Sequence, residues 1–89
     1  MLGACSINRV ILMGRLTADP ELKQTQSGVS VCQFTVAVTR ARADQNGERQ
    51  SDFINVVAWR QTAEFVCRYF NKGRLILVEG ELRTRTYDD

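Results

Sequence analysis

At 89 residues the chain can build one small core, and therefore one domain. Its composition, 44% hydrophobic and 25% charged, is that of an ordinary soluble globular protein. Twelve Lys and Arg against ten Asp and Glu leave a formal net charge of +2, so an argument for an anionic partner must rest on where the cations sit. The chain has no His, which removes the usual general base. It has no Gly-rich phosphate loop and no apolar run of membrane-spanning length. Cys5, Cys32 and Cys67 are widely spaced with no Cys-x-x-Cys, which argues against a disulfide framework or a zinc site and for a reducing compartment. No metal and no cofactor is expected.

Residues 1–6 read as a loose leader without the charged start of a secretory signal, and 7–89 as a single domain. Asn8 to Leu16 alternates like a strand. Val10, Leu12, Gly14 and Leu16 share one face; Arg9, Ile11, Met13 and Arg15 share the other. Gly14 inside that pattern predicts a bend or bulge. Asp19-Pro20 ends the strand, because Pro cannot donate to a ladder. Glu21 to Gln24 is a short extended piece, and Ser27-Gly28 is a turn. Val29 to Arg42 is a second long strand, with Cys32, Phe34, Val36 and Val38 in one apolar row. Its length predicts a bulge midway. Asn46-Gly47 predicts a type I′ hairpin into a third strand.

That third strand, Asp52 to Arg60, is rich in aromatic and β-branched residues. Ile54, Val56 and Ala58 point to a core. Phe53, Asn55, Val57 and Trp59 share the opposite face, which places two aromatics where water would be expected. Gln61 to Asn71 follows as a helix. Its stripe of Ala63, Val66, Cys67 and Phe70 reads as core packing, and Asn71-Lys72-Gly73 as a left-handed stop. Arg74 to Tyr87 is the last strand. Ile76, Val78, Gly80 and Leu82 lie on one face, while the other ends in Arg83, Arg85 and Tyr87. Three strands, a helix and a strand give a mainly β chain with one helix between the third and fourth strands. This is the layout of an oligonucleotide-binding (OB) fold, a five-stranded Greek-key barrel.

Aromatics on an open sheet face, bordered by cations, suit unpaired nucleic acid. Rings stack on bases and Lys or Arg neutralise phosphates. Phe53, Trp59 and Tyr87 are the candidate stackers. Arg9, Arg40, Arg42, Arg49, Arg60, Lys72, Arg74, Arg83 and Arg85 are the candidate phosphate contacts. Glu79 and Glu81 are next neighbours on one strand face and read most simply as cross-strand ion-pair partners of neighbouring arginines. With no nucleophile motif and no metal spacing, no catalytic residue is expected.

Asn8-Arg9-Val10-Ile11-Leu12-Met13-Gly14-Arg15-Leu16, Asp19-Pro20-Glu21-Leu22, Asp52 to Trp59, Lys72-Gly73 and Val78 to Tyr87 together resemble the bacterial single-stranded-DNA-binding family of replication. The resemblance spans about Ile7 to Tyr87. It implies an OB fold, usually a homotetramer (with a dimer as the smaller alternative), that holds single-stranded DNA with little sequence preference. It implies action in replication, recombination and repair, in the bacterial cytoplasm at the nucleoid and with no membrane partner. Family aromatics stack on bases at the positions of Phe53, Trp59 and Tyr87, whereas a fourth family aromatic falls at Arg42. Family subunits pair through the first strand, which makes Asn8, Arg9, Val10, Ile11 and Leu12 the expected dimer edge. At the other end the family continues into a loop, a fifth strand, a flexible tail and an acidic tip that recruits repair proteins. The sequence stops at Asp88-Asp89, so the expectation is a barrel without its closing strand, either a fragment or a shortened relative, and without tip-mediated recruitment. Two other readings share the layout: an accessory OB module of primosome type acting through protein contacts, and an OB module that binds RNA, since stacking ignores the 2′-hydroxyl.

Overall fold

A computed structural model describes residues 5–84. Its elements in chain order are β1 (Val10–Leu16), β2 (Glu21–Gln24), β3 (Ser30–Ala43), β4 (Arg49–Trp59), α1 (Arg60–Tyr69) and β5 (Leu75–Gly80). Over the described residues the architecture is an open antiparallel sheet with one helix, consistent with an OB fold. The extended piece at Glu21–Gln24 is a true strand, so the helix lies between the fourth and fifth strands rather than the third and fourth.

β3 is the hub. β4 runs along one of its edges from Val31↔Trp59 to Ala43↔Arg49. β2 and then β1 share the other edge, through Glu21↔Gln33 to Gln24↔Ser30 and through Arg15↔Ala37 and Leu16↔Val36. β5 pairs with the far side of β1, from Val10↔Gly80 to Arg15↔Leu75. The core lies under one face. It comprises Leu16, Cys32, Phe34, Val36, Ala58 and Ile76 from the strands and Ala63 and Val66 from the helix, with Val38, Val56, Cys67, Phe70 and Val78 packed around them. The alternating rows of β1, β3 and β4 and the helical stripe therefore face inward as their periods require.

Several local expectations need correction. Gly14 is not a bulge, because β1 pairs with β5 without a register shift through that position. Its bareness serves a close crossing: a Cβ there would overlap the Ala37 carbonyl oxygen and approach Val36 Cγ1 to 2.8 Å. The irregularity in β3 lies not midway but between Thr39 and Ala43, where three residues of β3 face one of β4. The face assignments up to Thr39 consequently hold. The hairpin is not type I′. Only Gly47 has positive φ (79°), the Gly47 amide donates to the Asp44 carbonyl (3.1 Å), and the Asp44 amide donates to the Glu48 carbonyl (2.7 Å). That pattern is a type I turn closed by a left-handed glycine. Asp44 Oδ1 supports it by accepting from the amides of Asn46 and Glu48, both at 2.9 Å.

The helix does not stop on Gly73. It ends at Tyr69 with an extended Phe70, whose amide donates to the Val66 carbonyl. Gly73 (φ 87°) instead forms a separate turn in which the Arg74 amide donates to the Asn71 carbonyl (3.1 Å). The last strand is shorter than expected: Glu81 to Thr84 are not strand, so strand parity does not orient Arg83. Arg85, Tyr87 and most of the leader lie outside the described residues.

Candidate nucleic-acid interface

The face opposite the core can be built row by row from the strand registers. Thr35 faces Asn55, and the Thr35 hydroxyl donates to Asn55 Oδ1 (2.9 Å). One row toward the β1 side runs Leu75, Arg15, Ala37, Phe53 across four strands. At the other end runs the row Lys23, Val31, Trp59. Side chains alternate, so all of these point away from the core. Phe53 is 66% exposed and Trp59 52% exposed. Six residue steps along β4 separate them, about 20 Å. The two rings therefore cannot sandwich one base; they stand apart on one face of β4, with the Asn55 amide between them.

The cations fall into two sets. Some are engaged within the chain. Arg40 holds Asp52 through two hydrogen bonds, 3.1 Å and 2.9 Å, which raise the Arg40 pKa and hold the Asp52 carboxyl below its ordinary value. Arg9, just before β1, pairs with Glu79 of β5, a contact between neighbouring strands, whereas Glu81 lies beyond β5 and pairs with Arg83 two residues on (3.4 Å), a local contact and not a cross-strand one. Arg74 lies 5.3 Å from the centre of the Phe70 ring. Others remain available. Among the described residues, Arg42, Arg49, Arg60 and Lys72 make no side-chain ion pair. Arg42 and Arg49 stand on the projecting β3–β4 hairpin, every residue of which is exposed. Lys72 is placed by its backbone amide, which donates to Asp19 Oδ1 (2.7 Å). Arg60 follows Trp59 directly with φ of 57°, a left-handed conformation rare for a residue with a Cβ. That strain turns the chain from β4 into α1 at the point where the indole leaves the sheet.

A model of the single-strand binding protein family matches residues 7–89. The chain belongs to that family. It is 54% identical over 83 residues to a single-stranded DNA-binding protein of Halalkalibacterium halodurans, covering 93% of this chain and 49% of that protein. It is 57% identical over 82 residues to the corresponding protein of Bacillus cereus (92% of this chain, 48% of that one). It is 52% identical over 83 residues to single-stranded DNA-binding protein A of Bacillus subtilis, covering 93% and 48% of the two chains. The chain thus spans about half the length of these relatives.

Within this family member, sequence reasoning overlooked two cations on the outer face. Arg15 shares a row with Phe53 and is steadied by donating to the Gly73 carbonyl (3.0 Å). Lys23 shares a row with Trp59. The signal for Arg15 was present, since its parity with Ile11 and Met13 already turned it outward. The signal for Lys23 was not, because its row depends on β2 docking beside β3. The same face carries a second apolar area, made of Ile11 and Met13 on β1 and Leu75 and Leu77 on β5, with Leu77 68% exposed. Of the expected dimer-edge residues, Val10 to Leu12 lie in β1, where only the edge toward β5 is paired among the described residues up to Gly14. The Asn8 amide is engaged within the chain: its Nδ2 donates to the Leu82 carbonyl (2.7 Å) and its Oδ1 accepts from the Leu82 amide (2.9 Å).

Proposed function

We propose that this domain binds single-stranded DNA with little sequence preference, by stacking bases on Phe53 and Trp59 and holding phosphates with Arg15, Lys23, Arg42, Arg49, Arg60 and Lys72. The observation that carries the reading is the pair of exposed rings on the core-free face of β4, each in a row with a cation. Every base has a π-face, so stacking is sequence-tolerant, and each stacked base contributes about 1–3 kcal/mol. Arg40, Arg83 and Arg9 join only by exchanging a carboxylate partner for a phosphate. Tyr87 and Arg85 extend the same chemistry toward the end of the chain.

The relatives are named for binding single-stranded DNA, and their names support the same activity here. The domain acts without catalysis, on bacterial DNA exposed during replication, recombination and repair, in the cytoplasm. Among the described residues no helix is long and apolar enough to cross a membrane. The domain self-associates, as a tetramer built from dimers. The unpaired β1 edge offers strand addition and the Ile11, Met13, Leu75 and Leu77 area offers apolar burial, two contacts of different kinds.

Trp59 is the only tryptophan, so its fluorescence reports on the site directly. Titration with oligo-dT is expected to quench it, with affinity falling as salt rises. A folded protein showing no quenching would remove Trp59 from the interface. Competition by oligo-rU as strong as by oligo-dT would reassign the partner to RNA.

A further inference from the structure

Cys32 is wholly buried in β3, and Cys67 is partly buried on the core-facing stripe of α1. Their Sγ atoms lie 3.3 Å apart, the Cys67 thiol donating to the Cys32 sulfur. Both are free thiols, and the candidate DNA face uses neither. A disulfide has an S–S length of about 2.05 Å. The sulfurs would need to close by little more than ~1 Å, a movement within reach of side-chain torsions. The two residues are 35 apart in sequence, so a bond between them would tie most of α1 and the whole of β4 into one closed loop.

We propose that Cys32 and Cys67 are a peroxide-sensitive dithiol, whose oxidation to an intramolecular disulfide staples α1 to β3. The order of events follows from exposure. Burial keeps the Cys32 sulfur away from dissolved peroxide and pushes its thiol up to about 12, so it does not react first and gives up its proton only as it attacks a sulfur already beside it. Cys67 is the less buried of the two and reacts first. Its sulfur attacks one peroxide oxygen, the O–O bond breaks, and one water leaves with the thiol proton, giving a sulfenic acid. The Cys32 sulfur, already in contact, then attacks the Cys67 sulfur. The S–O bond breaks, the S–S bond forms, and the hydroxyl departs with the Cys32 proton as a second water. Two thiols and one peroxide thus give one disulfide and two waters. Cys5, exposed and outside the sheet, is the only other thiol and stays reduced.

The test treats the reduced full chain with hydrogen peroxide and examines it without reductant. Expected are the loss of two hydrogens in intact mass, a fall from three alkylatable thiols to one, and a digest in which the Cys32 and Cys67 peptides are linked. The oxidised form is expected to melt about 10 °C higher than the reduced form. Dithiothreitol should reverse all of these changes. A Cys5→Ser variant is expected to keep the link and the rise; a Cys67→Ser variant is expected to lose both. Oligo-dT affinity should stay within about twofold, because both sulfurs lie on the core side of the sheet while Trp59 lies on the other. The proposal is overturned if Cys32 and Cys67 both remain alkylatable, if Cys67 proceeds to sulfinic acid without the link, or if the link lowers the melting temperature. Loss of oligo-dT binding on oxidation would also overturn it, by showing that the link distorts the sheet. If neither form binds oligo-dT, the DNA reading fails while the staple is still judged by mass and melting.

Discussion

Replacing Phe53 and Trp59 singly and together by Ala tests whether the outer face holds two independent base stations. Both rings are more than half exposed and outside the buried cluster, so their removal should leave the fold near its parent stability. Each substitution is expected to weaken oligo-dT binding by about 1–3 kcal/mol, roughly 5- to 150-fold. The spacing of about 20 Å along β4 decides the combined effect. Sites more than about 7–10 Å apart with no shared partner add within about 0.5 kcal/mol, so the double variant should lose about 2–6 kcal/mol. Binding would be read from the anisotropy of a labelled oligo-dT at one fixed salt concentration, with thermal melting run in parallel. The reasoning is refuted if either single variant already loses the whole double-variant effect, since the rings would then act as one unit. It is equally refuted if affinity falls only as far as the melting temperature does, because the rings would then be serving the fold.

Gly14→Ala should destabilise the domain by about 2–3 kcal/mol in urea unfolding, since the new methyl meets the Ala37 carbonyl and Val36; a change under about 0.5 kcal/mol would mean the β1–β3 crossing has room. Arg60→Gly should relieve a left-handed backbone and raise stability by about 1 kcal/mol, while flattening the salt dependence of oligo-dT binding; a less stable variant would show that the left-handed turn carries no strain. Asp52→Asn should free Arg40 for a phosphate and steepen the salt slope by about 0.7, and an unchanged slope would keep Arg40 off the DNA. The same carboxyl is held low by Arg40, so the pair's contribution is present at neutral pH and is lost as pH falls through that lowered value. Leu77→Asp should reduce the assembled mass in light scattering without lowering the oligo-dT affinity of each subunit; an unaltered mass would remove the β5 area from the assembly contact.

The periods of β1, β3 and β4 were legible because each of these strands turns one face to the core. Cys32, Phe34 and Val36 against Gln33 and Thr35, and Val56 and Ala58 against Val57 and Trp59, alternate for that reason and orient the two rings correctly. Local geometry was less legible wherever two mechanisms use the same residue. Glycine serves a positive-φ turn at Gly47 and Gly73 but a close strand crossing at Gly14, and a sequence does not say which. Asn46-Gly47 fits a type I′ turn, yet the Asp44 carboxylate accepts from two amides and holds a type I turn instead. The pairing of β2 with β3 could not be read at all. It rests on contacts between segments, and with it went the place of Lys23 beside Trp59.

The outer face divides along its own chemistry. On the β4 side stand two rings and an amide, Phe53, Trp59 and Asn55, which can stack on bases and bond their edges. On the β1–β5 side stand Ile11, Met13, Leu75 and Leu77, which offer no π-surface and no donor. A nucleobase gains little on an aliphatic patch, whereas the same patch on a second copy gains burial on both sides. Arg15 sits on the boundary, in the row that runs from Leu75 to Phe53, its guanidinium held back to the Gly73 carbonyl. A cation there is poorly suited to the middle of an apolar contact and well suited to its rim, facing a phosphate track. The proposed assembly contact and the proposed DNA contact therefore occupy different parts of one sheet face.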